Sequence, residues 1–296
     1  MPFAAPVSAS KPVPLRDFRD ALRALACLSA LLAAPLATRG GRAEELAFRV
    51  ESEVFVNGVD EPVARSLTLF RAGVAWDFLD PPKAARGERQ SGGAPAAGEI
   101  VLHDPARERV VLVDPVRNLK TQIDAIRLDR LSASLSSWAR KSDDKLVRWA
   151  GGPDFGEGLT ESRERIELAG PRVRYAVEFT AAPSPEAAAA YQRFADTAIL
   201  LKALVRPGGV PPFPRLAINR RVALAGGIPT EVTLDYDARA IKVPGRSDSL
   251  RCVHKIHPRL LAADLSRIED AESSVGLAKQ VDLAEFVAGP ARPAGD

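Results

Sequence analysis

The stretch 100-IVLHDPARERVVLVDPVRNLKTQI-123 constrains this chain more than any other. Two apolar runs, Ile100-Val101-Leu102 and Val110-Val111-Leu112-Val113, each end shortly afterwards at an Asp-Pro. The motif Asp-Pro-x-Arg therefore recurs at Asp104–Arg107 and Asp114–Arg117, with a looser copy, Asp80-Pro-Pro-Lys83, upstream. Runs this short between breakers read as strands. Asp at the first turn position accepts a backbone N–H, and Pro at the second presets φ near −65° and withholds a ladder donor. The expected result is an antiparallel meander with an Asp-Pro at each corner. In a meander successive turns alternate between the ends of the sheet, so a strand of about 17 Å separates Asp104 from Asp114. Asp80 and Asp114 would share an end, two strands or about 9–10 Å apart, near the carboxylate gap of an inverting glycosidase. That pair is the one hydrolase reading; turn chemistry accounts for the same residues without any reaction.

The meander extends upstream, with strands expected over 46–56, 66–71 and 74–79 and a tight corner at Arg71-Ala72-Gly73. Val74, Trp76 and Phe78 give one heavily apolar face. Ile100–Leu102 and Val110–Val113 are apolar on both sides, which requires cover on both faces of the sheet. A helix follows, striped by Leu128, Leu131, Leu135 and Trp138, then a short piece with Leu146 and Trp149 closed by Gly151-Gly152. Further strands are expected over 161–168 and 172–179, the latter alternating Val173, Tyr175, Val177 and Phe179 against Arg174 and Glu178. Ser184-Pro185-Glu186 starts a helix carrying Tyr191, Phe194, Ala198, Leu201 and Val205. A short helix near 215–225, strands over 229–236 and 249–257, a helix after Pro258 and a closing strand over 281–287 complete the reading.

The first 43 residues read as a cleaved export signal: Arg16, Arg19 and Arg23 precede the uncharged run 24-ALACLSALLAAPLA-37, and Gly41 and Ala43 place small residues before Glu44. About 14 residues is too short to span a bilayer, so no transmembrane segment is expected in the mature chain. Cys27 lies within the run, which continues past it, unlike a lipidation site. The domains are then a leader at 1–43, a single domain at 44–288 and a flexible tail at 289–296. The location is periplasmic or secreted. The pI near 9.0 misleads, because the leader holds six Lys/Arg against two Asp. The rest keeps 35 of 41 basic and 36 of 38 acidic side chains, a balance with no footprint for nucleic acid.

No Gly-x-Ser-x-Gly, phosphate loop or dinucleotide fingerprint is present in the sequence. The three histidines are His103, His254 and His257. On 249-SLRCVHKIH-257, Cys252 and His254 share a face with Leu250 and Ile256, and read as a packed thiol and a buried imidazole, not two ligands of a four-ligand metal site. No cofactor and no metal are expected. The chain does not read as an enzyme.

Residues 66-SLTLFRAGVAWDFLD-80, the run 99–123 and the Leu-striped helix after it resemble the LolA-like superfamily. That resemblance implies an α+β domain, a half-open, strongly curved antiparallel sheet of about 9–11 strands with 3–4 helices on its concave face. It also implies an acyl-chain cavity between sheet and helices, and agrees with the leader. No position matches the carrier's lid-anchoring arginine, and 184–287 exceeds the minimal carrier. The leading reading is non-catalytic binding or carrying of a lipid or acylated ligand, with Phe70, Trp76, Phe78, Trp138, Tyr175, Phe179 and Phe194 near the cavity. The alternative is an interaction or sensing module of the envelope with a fully packed core and a protein partner.

Overall fold

A computed structural model describes residues 46–80, 98–152, 155–205, 209–236 and 249–288. The leader at 1–43, the Lys83 end of the loose motif and the tail at 289–296 lie outside the described residues. The first meander runs β1 (Ala47–Val56), β2 (Ala64–Arg71), β3 (Val74–Leu79), β4 (Ile100–Asp104), β5 (Arg109–Asp114) and β6 (Leu119–Asp124). Helices α1 (Ala125–Arg140) and α2 (Lys145–Ala150) then lead to β7 (Leu159–Glu161), β8 (Arg165–Gly170) and β9 (Val173–Ala181). Helices α3 (Pro185–Val205) and α4 (Phe213–Leu224) lead into β10 (Gly227–Tyr236) and β11 (Ser249–His257). The chain closes with α5 (Ala262–Leu277), β12 (Lys279–Gln280) and α6 (Leu283–Ala288).

The twelve strands of the described residues form one open sheet, ordered β12-β6-β5-β4-β3-β2-β1-β11-β10-β9-β8-β7. Two meanders are thus joined back to back by the β1–β11 pair, with Val54 opposite Cys252 and Ser52 opposite His254. Every pairing is antiparallel except β12 on β6. The sheet has one strand more than the expected range and six described helices instead of three or four. The added strand comes from 161–168, which is a hairpin: Ser162 donates its N–H to the Arg165 carbonyl at 2.8 Å and turns the chain without Gly or Pro. The expected closing strand at 281–287 is α6 instead, started by Asp282, whose carboxylate accepts the Glu285 N–H at 2.8 Å.

The corners follow the sequence closely. Asp104 Oδ1 accepts the Arg107 N–H at 3.3 Å while Oδ2 takes its guanidinium at 2.9 Å. Asp114 Oδ1 accepts the N–H groups of Val116 and Arg117, both at 3.0 Å, and Oδ2 takes Arg117 Nε at 2.6 Å. In each copy the arginine folds back on its own turn and neutralises the capping carboxylate. The β2–β3 corner has φ of 53° at Ala72 and 78° at Gly73, the paired left-handed residues that match the strand twist in a two-residue hairpin. Gly170 ends β8 beneath the Trp149 ring, where a Cβ would lie 2.4 Å from the indole.

Register sorts the side chains onto two faces. One carries Phe48 and Val50 of β1, Phe70 of β2, Val101 of β4, Val110 and Leu112 of β5, and Tyr175 and Val177 of β9. These pack against α1, α2, α3, α4 and α6 through Leu128, Leu146, Tyr191, Phe194, Ile218 and Phe286. The opposite face of β2–β5 carries Leu69, Trp76, Ile100, Leu102, Val111 and Val113, covered by Ile268, Ala271 and Val275 of α5. The helices therefore do not share one face, as the sequence reading expected; five lie on one side and α5 on the other. Continuous burial of Val110–Val113 between these layers is the predicted two-sided cover. Helix α5 is 16 residues, about 24 Å, which matches five strand spacings from β1 to β6. At one end Asp264 takes Arg49 of β1, with both oxygens 3.1 Å from Nη1. At the other, Lys120 of β6 donates to the Val275 carbonyl at 2.6 Å.

Candidate functional site between sheet and helices

A polar belt crosses the helix-facing side where β11, β1, β2 and β3 meet. Cys252 and His254 on β11, Ser52 on β1, Ser66 and Thr68 on β2 and Asp77 on β3 all point to this side by register. Ser52 Oγ and His254 Nδ1 lie 2.8 Å apart, and Thr68 donates to Asp77 Oδ1 at 2.8 Å. Burial raises the Asp77 pKa against the opposing hydrogen bonds of Thr68 and Ser66. Tyr191 of α3 roofs the belt, its ring centroid 6.0 Å from that of His254 and 6.3 Å from that of Phe70.

Arg215 enters the same region from the first turn of α4. The residue as a whole is half-buried, and its Nη1 is closed to solvent with no hydrogen-bond partner. It makes no ion pair among the described residues. The carboxylate it feels, that of Asp196, is held instead by Asn219 Nδ2 at 2.7 Å and Gln192 Nε2 at 3.2 Å. Burial lowers the Arg215 pKa; the groups around it are Tyr191, Cys252, Tyr175 and His254. Burial, then the nearby guanidinium, pushes His254 down to about 3, and burial lifts the Cys252 thiol to about 11. Both tyrosines are raised by burial. The sheet's inner edge of this region is apolar yet incompletely covered: Val54, Val56, Val232, Leu234 and Leu250 face the helices but stay half-buried. Phe48, Val50, Val177 and Leu168 on either side are shut.

A serine beside an imidazole is a nucleophile–base arrangement in outline. A base with a pKa of about 3 has almost no drive to take a hydroxyl proton, so the Ser52–His254 pair is poorly suited to that role. Asp114 is similarly occupied: burial opposes, but its bonds to Arg117 and the turn hold its pKa below the ordinary value. Asp80 is exposed at the end of β3. No group of three or more His, Cys, Asp or Glu side chains converges among the described residues.

The seven residues singled out from the sequence fall in different places. Phe70 and Phe194 meet edge-on at 5.6 Å in the cluster beside the belt, with Phe48 stacked on Phe70 at 4.1 Å. Tyr175 and Phe179 lie in the neighbouring cluster over β8–β10. Trp76 and Phe78 are on the opposite face under α5, because Phe70 pairs with Ala75 and Leu69 with Trp76. Trp138 is 58% exposed. At about 100° per residue it sits roughly 80° off the line of Leu128, and the buried stripe continues to Ala139 instead. Arg215 was missed, although 215, 218, 219 and 222 form one i, i+3, i+4, i+7 stripe whose other members, Ile218, Asn219 and Val222, are buried.

A concavity of about 520 Å³ lies on the α5 side, between the β2–β3 and β4–β5 corners. Its floor is Trp76, Leu102 and Ile268, and its rim is largely self-paired, Asp104 taking both Arg107 and Arg109.

No family model and no curated protein matches the chain. Among solved structures, a LolA superfamily protein from Nitrosomonas europaea aligns over 75% of this chain and 89% of its own, at 9% identity and a TM-score of 0.26. Agreement at that level is too low to transfer an activity or a ligand. No described helix is long and apolar enough to cross a membrane.

Proposed function

We propose that the protein is an exported, non-catalytic binder of a lipid or acylated ligand, held between the sheet and the helix layer. The observation that carries this reading is the half-buried apolar surface of β1, β10 and β11 beneath the helices, Val54, Val56, Val232, Leu234 and Leu250. Apolar side chains on the central strands of a sheet, on the face its helices cover, are normally shut off from water. A partly open apolar strip beside the polar belt of His254, Ser52 and Asp77 suits an amphiphile, with chain on the strip and head at the belt. Phe70, Phe194, Tyr175 and Phe179 would flank the chain on its two sides.

Native mass spectrometry on protein expressed with its leader is the direct test. Acyl species are expected to co-purify, on a chain beginning near Glu44. A clean apo mass, with no thermal stabilisation by fatty acids or lipopeptides, would sink the reading in favour of an envelope interaction module with a packed core.

A further inference from the structure

We infer that Arg215 is the head-group anchor of this site, and that the ligand carries an anionic head, a carboxylate or a phosphate, on an acyl or alkyl chain. The inference rests on the binding reading above and names the chemistry that reading leaves open. A half-buried arginine whose Nη1 is closed to solvent and unpaired is a costly arrangement, tolerated where a partner of opposite charge completes it. The surroundings supply no such partner among the described residues: Asp196 is engaged by Asn219 and Gln192, and no carboxylate comes within ion-pair distance of Arg215.

The other groups near the guanidinium are neutral at physiological pH. Burial keeps the Cys252 thiol and both phenols protonated, and His254 stays uncharged. Arg215 is then a positive charge with Asp196 in electrostatic reach but with no direct ion pair among the described residues, in partly buried surroundings where an anion gains more than in water. Its planar fork suits the two oxygens of a carboxylate or phosphate, and Tyr175 and Tyr191 lie within electrostatic reach of the same point. The half-buried strip of Val54, Val56 and Leu250 lies on the same side of the sheet as Cys252 and His254, the strand groups that feel the guanidinium. Charge and apolar surface are thereby combined on one side of one sheet, which is the recognition pattern of an anionic amphiphile and not of a neutral lipid.

Three fluorescent probes with one alkyl chain test this on the mature protein: the carboxylic acid, its methyl ester and the corresponding alkyl phosphate. Wild type is expected to bind an anionic probe at least tenfold more tightly than the ester. In Arg215→Met the anionic probe should fall to the ester's affinity while the ester is unchanged. Arg215→Lys should keep part of the preference. Removing an unpaired buried charge should leave the melting temperature of Arg215→Met equal to or above wild type, so lost binding cannot be ascribed to unfolding. Preference for the acid would assign a fatty-acid type of ligand and preference for the phosphate a phospholipid head; either supports the anchor. Equal binding of ester and acid, unchanged in Arg215→Met, would overturn the anchor and leave acyl binding standing. Failure of all three probes to bind would overturn both.

Discussion

The face of the sheet turned away from α1–α4 is used in two opposite ways. Over β2–β5 it is apolar and lies under α5, with Leu69, Trp76, Leu102 and Val113 packed on Ile268 and Ala271. Over β8–β11 the same face has no helix among the described residues and carries a lattice of charge. Arg165 pairs with Glu167 and Glu178, both at 2.8 Å, Arg174 pairs with Glu167, and Arg251 with Glu231 at 3.6 Å. The difference is set by strand composition. In β5 four consecutive positions, Val110–Val113, are buried, whereas in β9 buried Val173, Tyr175, Val177 and Phe179 alternate with exposed Arg174 and Glu178. A strand that reads apolar at every position needs two covering layers; one that alternates needs one and solvates the other face. The sheet therefore changes from a three-layer to a two-layer arrangement at β1, where Arg49 turns from the charged lattice to Asp264 of α5.

The largest test of that boundary is Ile268→Ala. Ile268 is 1% exposed at the centre of the α5 contact. Truncation should cost about 3 kcal/mol in urea unfolding, from lost transfer energy plus a cavity that the sheet cannot close. A loss under ~1 kcal/mol would mean that α5 rides loosely and that the three-layer half is only apparent.

Asp264→Ala should have the next largest effect. Its carboxylate receives Arg49 and also the Leu261 N–H at 2.8 Å, so one side chain both caps α5 and ties it to β1. Losing the cap and leaving Arg49 with only the half-exposed Glu51 should cost about 2 kcal/mol. Hydrogen exchange would localise it: faster exchange in the first turn of α5 with β8–β9 unchanged is expected. Uniform acceleration would instead place the boundary elsewhere.

Much of this division was legible in the residues themselves. The Asp-Pro-x-Arg corners are local chemistry, each closed by its own arginine, and the two-sided burial of Ile100–Leu102 and Val110–Val113 follows from consecutive apolar positions. Which helix covers which face was not legible, because Phe70 and Trp76 differ in side only through the β2–β3 register. Trp138 looked like part of the α1 stripe because its size outweighs its angle. The 281–287 segment reads as a closing strand because it is short and apolar, while the Asp282 cap that makes it a helix is the quieter signal. The candidate site was half visible: the inward Cys252–His254 face could be read from alternation on β11. Arg215 could also have been found, since a charged residue on the line of Ile218 and Val222 signals a buried cation. That the Asp196 carboxylate it feels is already held by Asn219 and Gln192 is a tertiary fact, as is the half-open state of Val54 and Leu250.

The smallest expected effect belongs to the two-layer half. Glu167→Ala removes the carboxylate shared by Arg165 and Arg174, and so breaks two ion pairs of the lattice at once. These charges face water: Arg165 keeps its second partner, Glu178, and the freed Arg174 is resolvated with little loss. The arginines hold the Glu167 pKa below its ordinary value, through hydrogen bonds first from Arg174 and then from Arg165, with burial a minor opposing effect. Any stabilisation it gives is thus present above the usual glutamate range and lost as pH falls through the lowered folded value. The melting temperature at pH 7 is expected within about 1 °C of wild type, and any difference should vanish in 1 M salt, about a 3 Å screening length. A drop approaching that of Ile268→Ala, surviving high salt, would show that the lattice is a desolvated structural network. The charged face would then be as much a packed layer as the face beneath α5.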